Sequence, residues 1–153
     1  MYKLLMVVLM TWMIAIPLEA SAHCQVPCGI YDDHARIHAM EEDVATIGKA
    51  VAQLQEAQDK DDAQSFNQRV RWTQTKEDHA SRIIDVVSQY FLTQKIKPAD
   101  PKDKKAYADY VARLTACHGV LRAAMKTKQT VDPEAVEGLS QALKVLGDFY
   151  PAE

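Results

Sequence analysis

The sequence has few of the residues that break helices or cross-link chains. It contains five glycines and three cysteines among 153 residues. Long stretches also lack the alternation of apolar and polar residues that marks a strand. We therefore expect an all-α protein. A chain of this length buries roughly two-thirds of its unfolded surface, so a core can form without disulfides.

A basic stripe is also missing. The formal net charge is -3, with 25% charged and 48% apolar residues, which is ordinary for a soluble globular chain. Without clustered lysine and arginine, nucleic acid is not an expected partner. The length is that of a single domain.

Residues 1–22 form the one long apolar region, and they resemble a secretory signal peptide. Lys3 gives a positive start, Leu4 to Leu18 is an apolar run, and Ala20 and Ala22 are small residues where a signal peptidase cleaves. The alternative is a membrane anchor, but the run of about 15 residues is shorter than the ~20 that a spanning helix needs. We expect cleavage after Ala22 and a secreted or periplasmic protein.

Four amphipathic helices are predicted after that point, over residues 33–57 and 63–93, from about 103, and from 132. Their apolar residues recur every three or four positions. The predicted stripes are Ile37, Met40, Val44, Ile47, Val51 and Leu54; Phe66, Val70, Thr73, Ala80, Ile84, Val87 and Phe91; Tyr107, Val111, Leu114, Cys117, Leu121 and Ala124; Val136, Leu139, Ala142, Leu143, Leu146 and Phe149.

The connections between these helices are short, and Pro98 and Pro101 exclude a helix between the second and third. Short loops join antiparallel neighbours, so residues 32–153 are predicted to form an up-down-up-down four-helix bundle. A bundle alone does not indicate a function.

The chemistry is concentrated in residues 23–31, ahead of the first helix. Cleavage after Ala22 would give His23 a free α-amino group with a pKa of roughly 7.7–8.0. That amine, the Cys24 amide and the thiolates of Cys24 and Cys28 can form a plane of two nitrogens and two sulfurs, which the His23 imidazole can cap. Such a plane favours Ni(II) or Cu(II) over tetrahedral zinc. Because Cu(II) tends to oxidise thiolates, nickel is the better match.

This segment resembles the nickel hook of nickel-containing superoxide dismutases, His-Cys-x-x-Pro-Cys-Gly-x-Tyr at the mature amino terminus. The Tyr90-Phe91 pair is also similar to a pair in that family. The residues that match the hook are His23, Cys24, Pro27, Cys28, Gly29 and Tyr31.

The resemblance implies an enzyme that disproportionates superoxide to dioxygen and hydrogen peroxide by Ni(III)/Ni(II) cycling. It assigns Cys24 and Cys28 as thiolate ligands, and His23 as the source of the amine and an axial imidazole. Tyr31 and Tyr90 would line the substrate approach and order water and small anions. A homohexamer of bundles is also implied.

Two features depart from the family pattern. In some members an acid and an arginine support the axial imidazole, whereas His38 and His79 stand near those positions here. We therefore expect the groups that orient the imidazole to differ. Many members also have a short non-hydrophobic leader, whereas the leader here has the secretory pattern.

Other interpretations of the cysteines and histidines remain open. Cys24 and Cys28 could form a disulfide in an oxidising compartment, in which case the chain would be a helical interaction domain. The same hook would also suit a secreted nickel-binding or nickel-delivery protein without turnover.

No metal-binding or haem-binding role is predicted for the remaining cysteine, Cys117, or for two histidines of the first helix, His34 and His38. Cys117-His118 lacks the cysteine three residues earlier that c-type haem attachment needs, so Cys117 is predicted to be a buried free thiol. His34 and His38, four residues apart, are predicted to be a solvated pair rather than a metal site.

Overall fold

The computed structural model describes residues 32–152, and the regular elements in this range are all helical. The α-helices are α1 (Asp33–Glu56), α2 (Ala63–Asp85), α3 (Lys104–Lys128) and α4 (Pro133–Gly147). α1 packs against α2 and α4, and α3 packs against the same two helices. The predicted all-α four-helix bundle is confirmed. Over this range, no helix has both the length and the apolar character needed to cross a membrane.

An aspartate caps the amino terminus of each α-helix. Each cap carboxylate accepts a hydrogen bond from a backbone N–H in the first turn, which satisfies one of the donors that a helix start leaves unpaired. The caps are Asp32, Asp62, Asp103 and Asp132. The predicted helix starts are therefore correct to within about one residue.

The centre of the bundle is made mainly by aliphatic side chains, with one aromatic ring from the end of the second helical segment. The largest fully buried apolar side chains are Phe91, Met40, Ile47, Ile83, Leu139, Leu143 and Leu146. The stripe predicted for α1 is confirmed from Ile37 to Val51, and that of α4 is confirmed at its three central leucines. In α2, Ile83 is fully buried and Ile84 only partly.

Two of the predicted stripes are wrong at one end. Phe66 and Val70 in α2 are 61% and 54% exposed, and Tyr107 and Val111 in α3 are 39% and 41% exposed. In α2 the first buried residue is polar: it is Lys76, which is only 3% exposed.

Lys76 is buried because it caps the carboxyl end of α3. Its Nζ donates to the carbonyl oxygens of Thr127 at 2.7 Å and Lys128 at 3.0 Å, and it pairs with Glu77 at 2.9 Å. A cation at this position satisfies carbonyls that have no partner within the helix and complements the helix dipole. Hydrophobic periodicity cannot identify such a residue as buried.

A π-helix, Val86–Lys95, continues directly from α2. The second helix therefore covers its predicted range to Thr93 and ends at Lys95, but its last ten residues have π rather than α hydrogen bonding. Donors reach carbonyls five residues back: the Ile96 N–H to Phe91 at 2.9 Å, and the Gln94 Nε2 to Gln89 at 3.0 Å. The wider turn changes which side chains lie above one another. The segment ends at the predicted loop with Pro98 and Pro101.

Candidate functional site

The predicted site residues fall into two groups. His23, Cys24, Cys28 and Tyr31 lie outside the described residues, so their roles stay predictions. Tyr90 is described, and it lies in the π-helix at the end of the bundle where α1 begins. The geometry around Tyr90 is therefore what the structure adds.

The Tyr90 side chain is 7% exposed and its hydroxyl is held by α1. It donates to Oδ1 of Asp33, the first residue of α1, over 2.5 Å. The ring packs edge-on against Phe91, with centroids 5.2 Å apart and planes at 86°. Burial, followed by the hydrogen bond to Asp33 and its negative charge, raises the pKa of Tyr90 well above its ordinary value. Tyr90 is therefore a neutral phenol at physiological pH.

Two cations lie close to the same ring. The Lys95 Nζ is 5.9 Å and the Arg36 guanidinium carbon 5.5 Å from the Tyr90 centroid, both within the range of cation–π attraction. Lys95 also pairs with Oδ2 of Asp33 at 2.9 Å. The two oxygens of Asp33 therefore have different partners, a phenol and an ammonium group.

The carboxyl-terminal residues support this end of the bundle. The Tyr150 ring lies 4.8 Å from that of Phe91, and the Tyr150 carbonyl lies 3.2 Å from the His34 Nδ1, which donates to it. The Arg113 guanidinium covers the rings of Phe149 and Tyr150 at 4.9 and 5.4 Å. These contacts fix Phe91, and through it the ring of Tyr90.

A cleft of about 500 Å³ opens beside this cluster. Asp33 and Lys95 form part of its wall, and residues of α3 and the carboxyl-terminal segment form the remainder. On the α3 side, Arg113 pairs with Asp109 at 2.8 Å. Two ion pairs therefore border the cleft, one between Asp33 and Lys95 and one between Asp109 and Arg113.

His38 and His79, the two departures from the family pattern, have different surroundings. His38 is exposed and contacts Glu41 and Glu42 on its own helix at 3.3 and 3.8 Å. His79 links α2 to α1 through its Nδ1, 2.6 Å from the Asp43 Oδ1, which also accepts from Arg82 at 2.8 Å. Asp43 is 3% exposed, so this is a buried ion pair between two helices.

The structural roles predicted for the other reactive residues are confirmed. Cys117 is a fully buried free thiol, and burial raises its pKa to about 11. His34 and His38 are both exposed, and their rings contact different groups. Between residues 32 and 152, no cluster of three or more histidine, cysteine, aspartate or glutamate side chains is arranged to hold a metal ion.

The sequence analysis missed Asp33, Arg36 and Lys95. An acid in the first turn is favourable next to the helix dipole, so Asp33 needed no further explanation. Lys95 is five residues after Tyr90, and in an α-helix these positions would be about 140° apart. The π-helix brings them together, and no spacing rule for α-helices would have found the pair.

The chain matches the family model described as nickel-containing superoxide dismutase over residues 18–153. This range includes both the predicted hook and the whole bundle. The chain belongs to the nickel-containing superoxide dismutase family. No curated protein and no solved structure is significantly similar to it.

Membership of this family makes the protein an oxidoreductase that acts on superoxide with nickel as its cofactor. The sequence-based predictions of the enzyme class, the substrate and the metal are confirmed at this level.

Proposed function

We propose that the nickel ion is bound by the amino group and imidazole of His23, the amide nitrogen of Cys24, and the thiolates of Cys24 and Cys28. The donor set fits the metal, because two nitrogens and two sulfurs suit a square-planar ion. Anionic sulfur and amide nitrogen also donate strongly and so stabilise Ni(III). When bound, nickel would supply Ni(III)/Ni(II) redox chemistry, by which one superoxide is oxidised to dioxygen and the next, with two protons, is reduced to hydrogen peroxide.

The position of the Tyr90 hydroxyl is the observation that carries this proposal. It lies 2.5 Å from the side chain of Asp33, only two residues after Tyr31. Two residues span at most about 7 Å, so the chain that follows the hook passes close to Tyr90. The bundle therefore offers a tyrosine, a carboxylate and two cations at the end where α1 begins.

In this arrangement Tyr31 and Tyr90 line the approach of superoxide and order water there. Arg36 and Lys95 offset the negative charges of Asp32 and Asp33 beside Tyr90, so that this end of the bundle does not repel a small anion. The His23 imidazole would be supported differently from that in members with an acid and an arginine. His38 and His79 already bind carboxylates of the bundle.

Export and assembly complete the proposal. We propose that residues 1–22 are a signal peptide, so that cleavage creates the amine of His23 and the mature enzyme is secreted or periplasmic. The mature chains would assemble as a homohexamer. Helices α2 and α3 expose apolar side chains that are suited to contacts between bundles. These are Phe66 and Val70 in α2 and Tyr107 and Val111 in α3.

The proposal is tested with a chain of residues 23–153 whose first residue is His23. We expect this chain, loaded with nickel, to disproportionate superoxide. A control chain with one additional alanine before His23 should be inactive, because it lacks the amine at the required atom. Light scattering on the active chain should give the mass of a hexamer.

The possible outcomes separate the alternatives. Nickel binding without activity in the first chain would favour a nickel-delivery protein. Equal activity in both chains would contradict the role of the amine. Absence of nickel binding would contradict the hook and favour a disulfide between Cys24 and Cys28.

A further inference from the structure

Asp33 has more contacts than a helix start requires. The first turn of α1 is already capped by Asp32, whose Oδ1 accepts from the Ala35 N–H at 3.2 Å. An aspartate at position 33 would be favourable there through the helix dipole alone. Instead, its two oxygens reach across the bundle to Tyr90 at 2.5 Å and Lys95 at 2.9 Å.

These contacts define the state of the Tyr90 hydroxyl. A phenol has one hydrogen to donate, and here the carboxylate of Asp33 takes it. The bond is charge-assisted, and such bonds are shorter and stronger than those between neutral groups. The hydroxyl hydrogen of Tyr90 is therefore held by Asp33 and is not available to an anion.

Lys95 reduces the repulsion that the Asp33 carboxylate would exert on an anionic substrate at this end of the bundle. Its ammonium group offsets the charge of Asp33 and lies near the Tyr90 ring, and the guanidinium group of Arg36 on α1 also lies near that ring. Among residues 32–152, the charge of Asp32, the N-cap of α1, also acts on Tyr90. Arg113, on α3, faces Tyr150 and Phe149 rather than Tyr90.

We propose that Asp33 is a positioning residue for the reaction, which holds the hydroxyl hydrogen of Tyr90 so that this tyrosine acts as a fixed hydrogen-bond acceptor. Tyr90 then orders water or a protonated species along the approach, and does not donate to superoxide. Lys95 and Arg36 offset the negative charges of Asp33 and Asp32, so that the anion is not repelled. This inference rests on the proposed role of Tyr90 in substrate approach, and refines the expectation that Tyr90 orders small anions.

The test uses nickel-loaded residues 23–153 with the metal reduced, and tyrosines labelled with ¹³C at Cζ. The Cζ resonance reports hydrogen bonding of the phenol, and Tyr90→Phe assigns it. In Asp33→Asn we expect the Tyr90 resonance to move towards that of the exposed Tyr107. Asp32→Asn is the matched control, because it removes the same charge one residue earlier and asparagine caps helices equally well. It should leave the resonance in place.

Activity of the same variants then shows whether the hydrogen bond is used. We expect Tyr90→Phe and Asp33→Asn each to lower the rate by roughly tenfold, the size of one hydrogen bond. The double variant should be no slower than Tyr90→Phe alone, because Asp33 acts through Tyr90. Asp32→Asn should retain activity.

The failures can be distinguished. Full activity of Tyr90→Phe would contradict the role of Tyr90 in the proposed function, and this inference with it. An impaired Tyr90→Phe with additive losses in the double variant would overturn the inference alone. An unmoved Tyr90 resonance in Asp33→Asn would do the same.

Discussion

Helix α1 carries two aspartates, ten residues apart, that use the same chemistry in different surroundings. Asp33 binds a phenol and an ammonium group at the end of the bundle, with 27% of its side chain exposed. Asp43 has only 5% of its side chain exposed, and it binds an imidazole and a guanidinium group that reach it from the surface of the bundle. Each site combines a carboxylate on α1 with a ring and a cation, which come from the π-helix at Asp33 and from α2 at Asp43.

The two aspartates differ in whether water can replace their partners. If the partners of Asp33 are removed, water can hydrate the carboxylate, so the arrangement can be adjusted at small cost in stability. Water has little access to Asp43, so its partners are needed to stabilise a carboxylate charge that is buried in the protein. We therefore expect Asp43 to matter for folding and Asp33 for the reaction.

The largest effect should follow removal of both partners of Asp43. His79→Ala combined with Arg82→Ala leaves a buried carboxylate without a counter-charge, which should cost about 3–5 kcal/mol of unfolding free energy. Denaturant unfolding at neutral pH measures it. Adding Asp43→Leu should recover most of the loss, and His38→Ala, at an exposed histidine, should change stability by less than about 0.5 kcal/mol. A small loss in the double variant would show that Asp43 is not sealed from water.

The buried thiol of Cys117 should make the free energy of unfolding depend on pH in the alkaline range. Burial raises the pKa of Cys117 to about 11, from an ordinary value near 9. Below pH 9 both states keep the proton and the stabilisation is complete. Between pH 9 and 11 the unfolded thiol ionises first, so the unfolding free energy should fall by about 2 kcal/mol.

The matched variant for this effect is Cys117→Ala. The difference in stability between wild type and variant should shrink by the stated amount from pH 9 to 11, measured by denaturant unfolding at each pH. The comparison removes the contributions of Tyr90 and Tyr150, whose pKa values are also raised. A constant difference would contradict the ordering of the two pKa values.

Lys76 provides a third case, in which a buried cation binds backbone carbonyls rather than a carboxylate on α1. Lys76→Met keeps the length of the side chain and leaves the end of α3 uncapped, which should cost about 1–2 kcal/mol. Lys60→Met is the control, because Lys60 makes only an exposed pair with Glu56 at 3.3 Å. Thermal unfolding of both variants checks this, and equal losses would refute a capping role.

The smallest effect on stability is expected at Asp33 itself. Asp33→Asn should change the unfolding free energy by less than about 1 kcal/mol, since the site is partly exposed and Asp32 retains the helix cap. Denaturant unfolding compared with Asp32→Asn measures this. A loss as large as that of the His79 and Arg82 double variant would remove the contrast between the two aspartates.

Most of the fold could be predicted from the sequence, because the helix starts and the apolar stripe of α1 carry strong local signals. Asp132 followed by Pro133 marked the start of α4 to the residue. At Lys76 the error has a clear physical cause, because a long-range polar contact overrides hydrophobic periodicity there. Lys76 is buried because α3 ends beside it, and Phe66 is exposed although it follows the apolar pattern.

The candidate site was predictable in part. Tyr90 was identified through its neighbour Phe91 and the resemblance to the family. Asp33 and Lys95 were not, since their pairing depends on a π-helix and on contact across the bundle. Local sequence carries a weak signal for either. The metal ligands were predicted from the order of His23, Cys24 and Cys28, and these predictions await the experiments proposed above.

The π-helix also bears on how this part of the chain changes in evolution. A π-turn holds more residues than an α-turn, so the gain or loss of one residue between 86 and 95 can be absorbed by converting one kind of turn into the other. Relatives with an α-helix here would align with a gap beside a retained tyrosine. Such a gap would identify lineages in which the lysine contact has been lost or replaced.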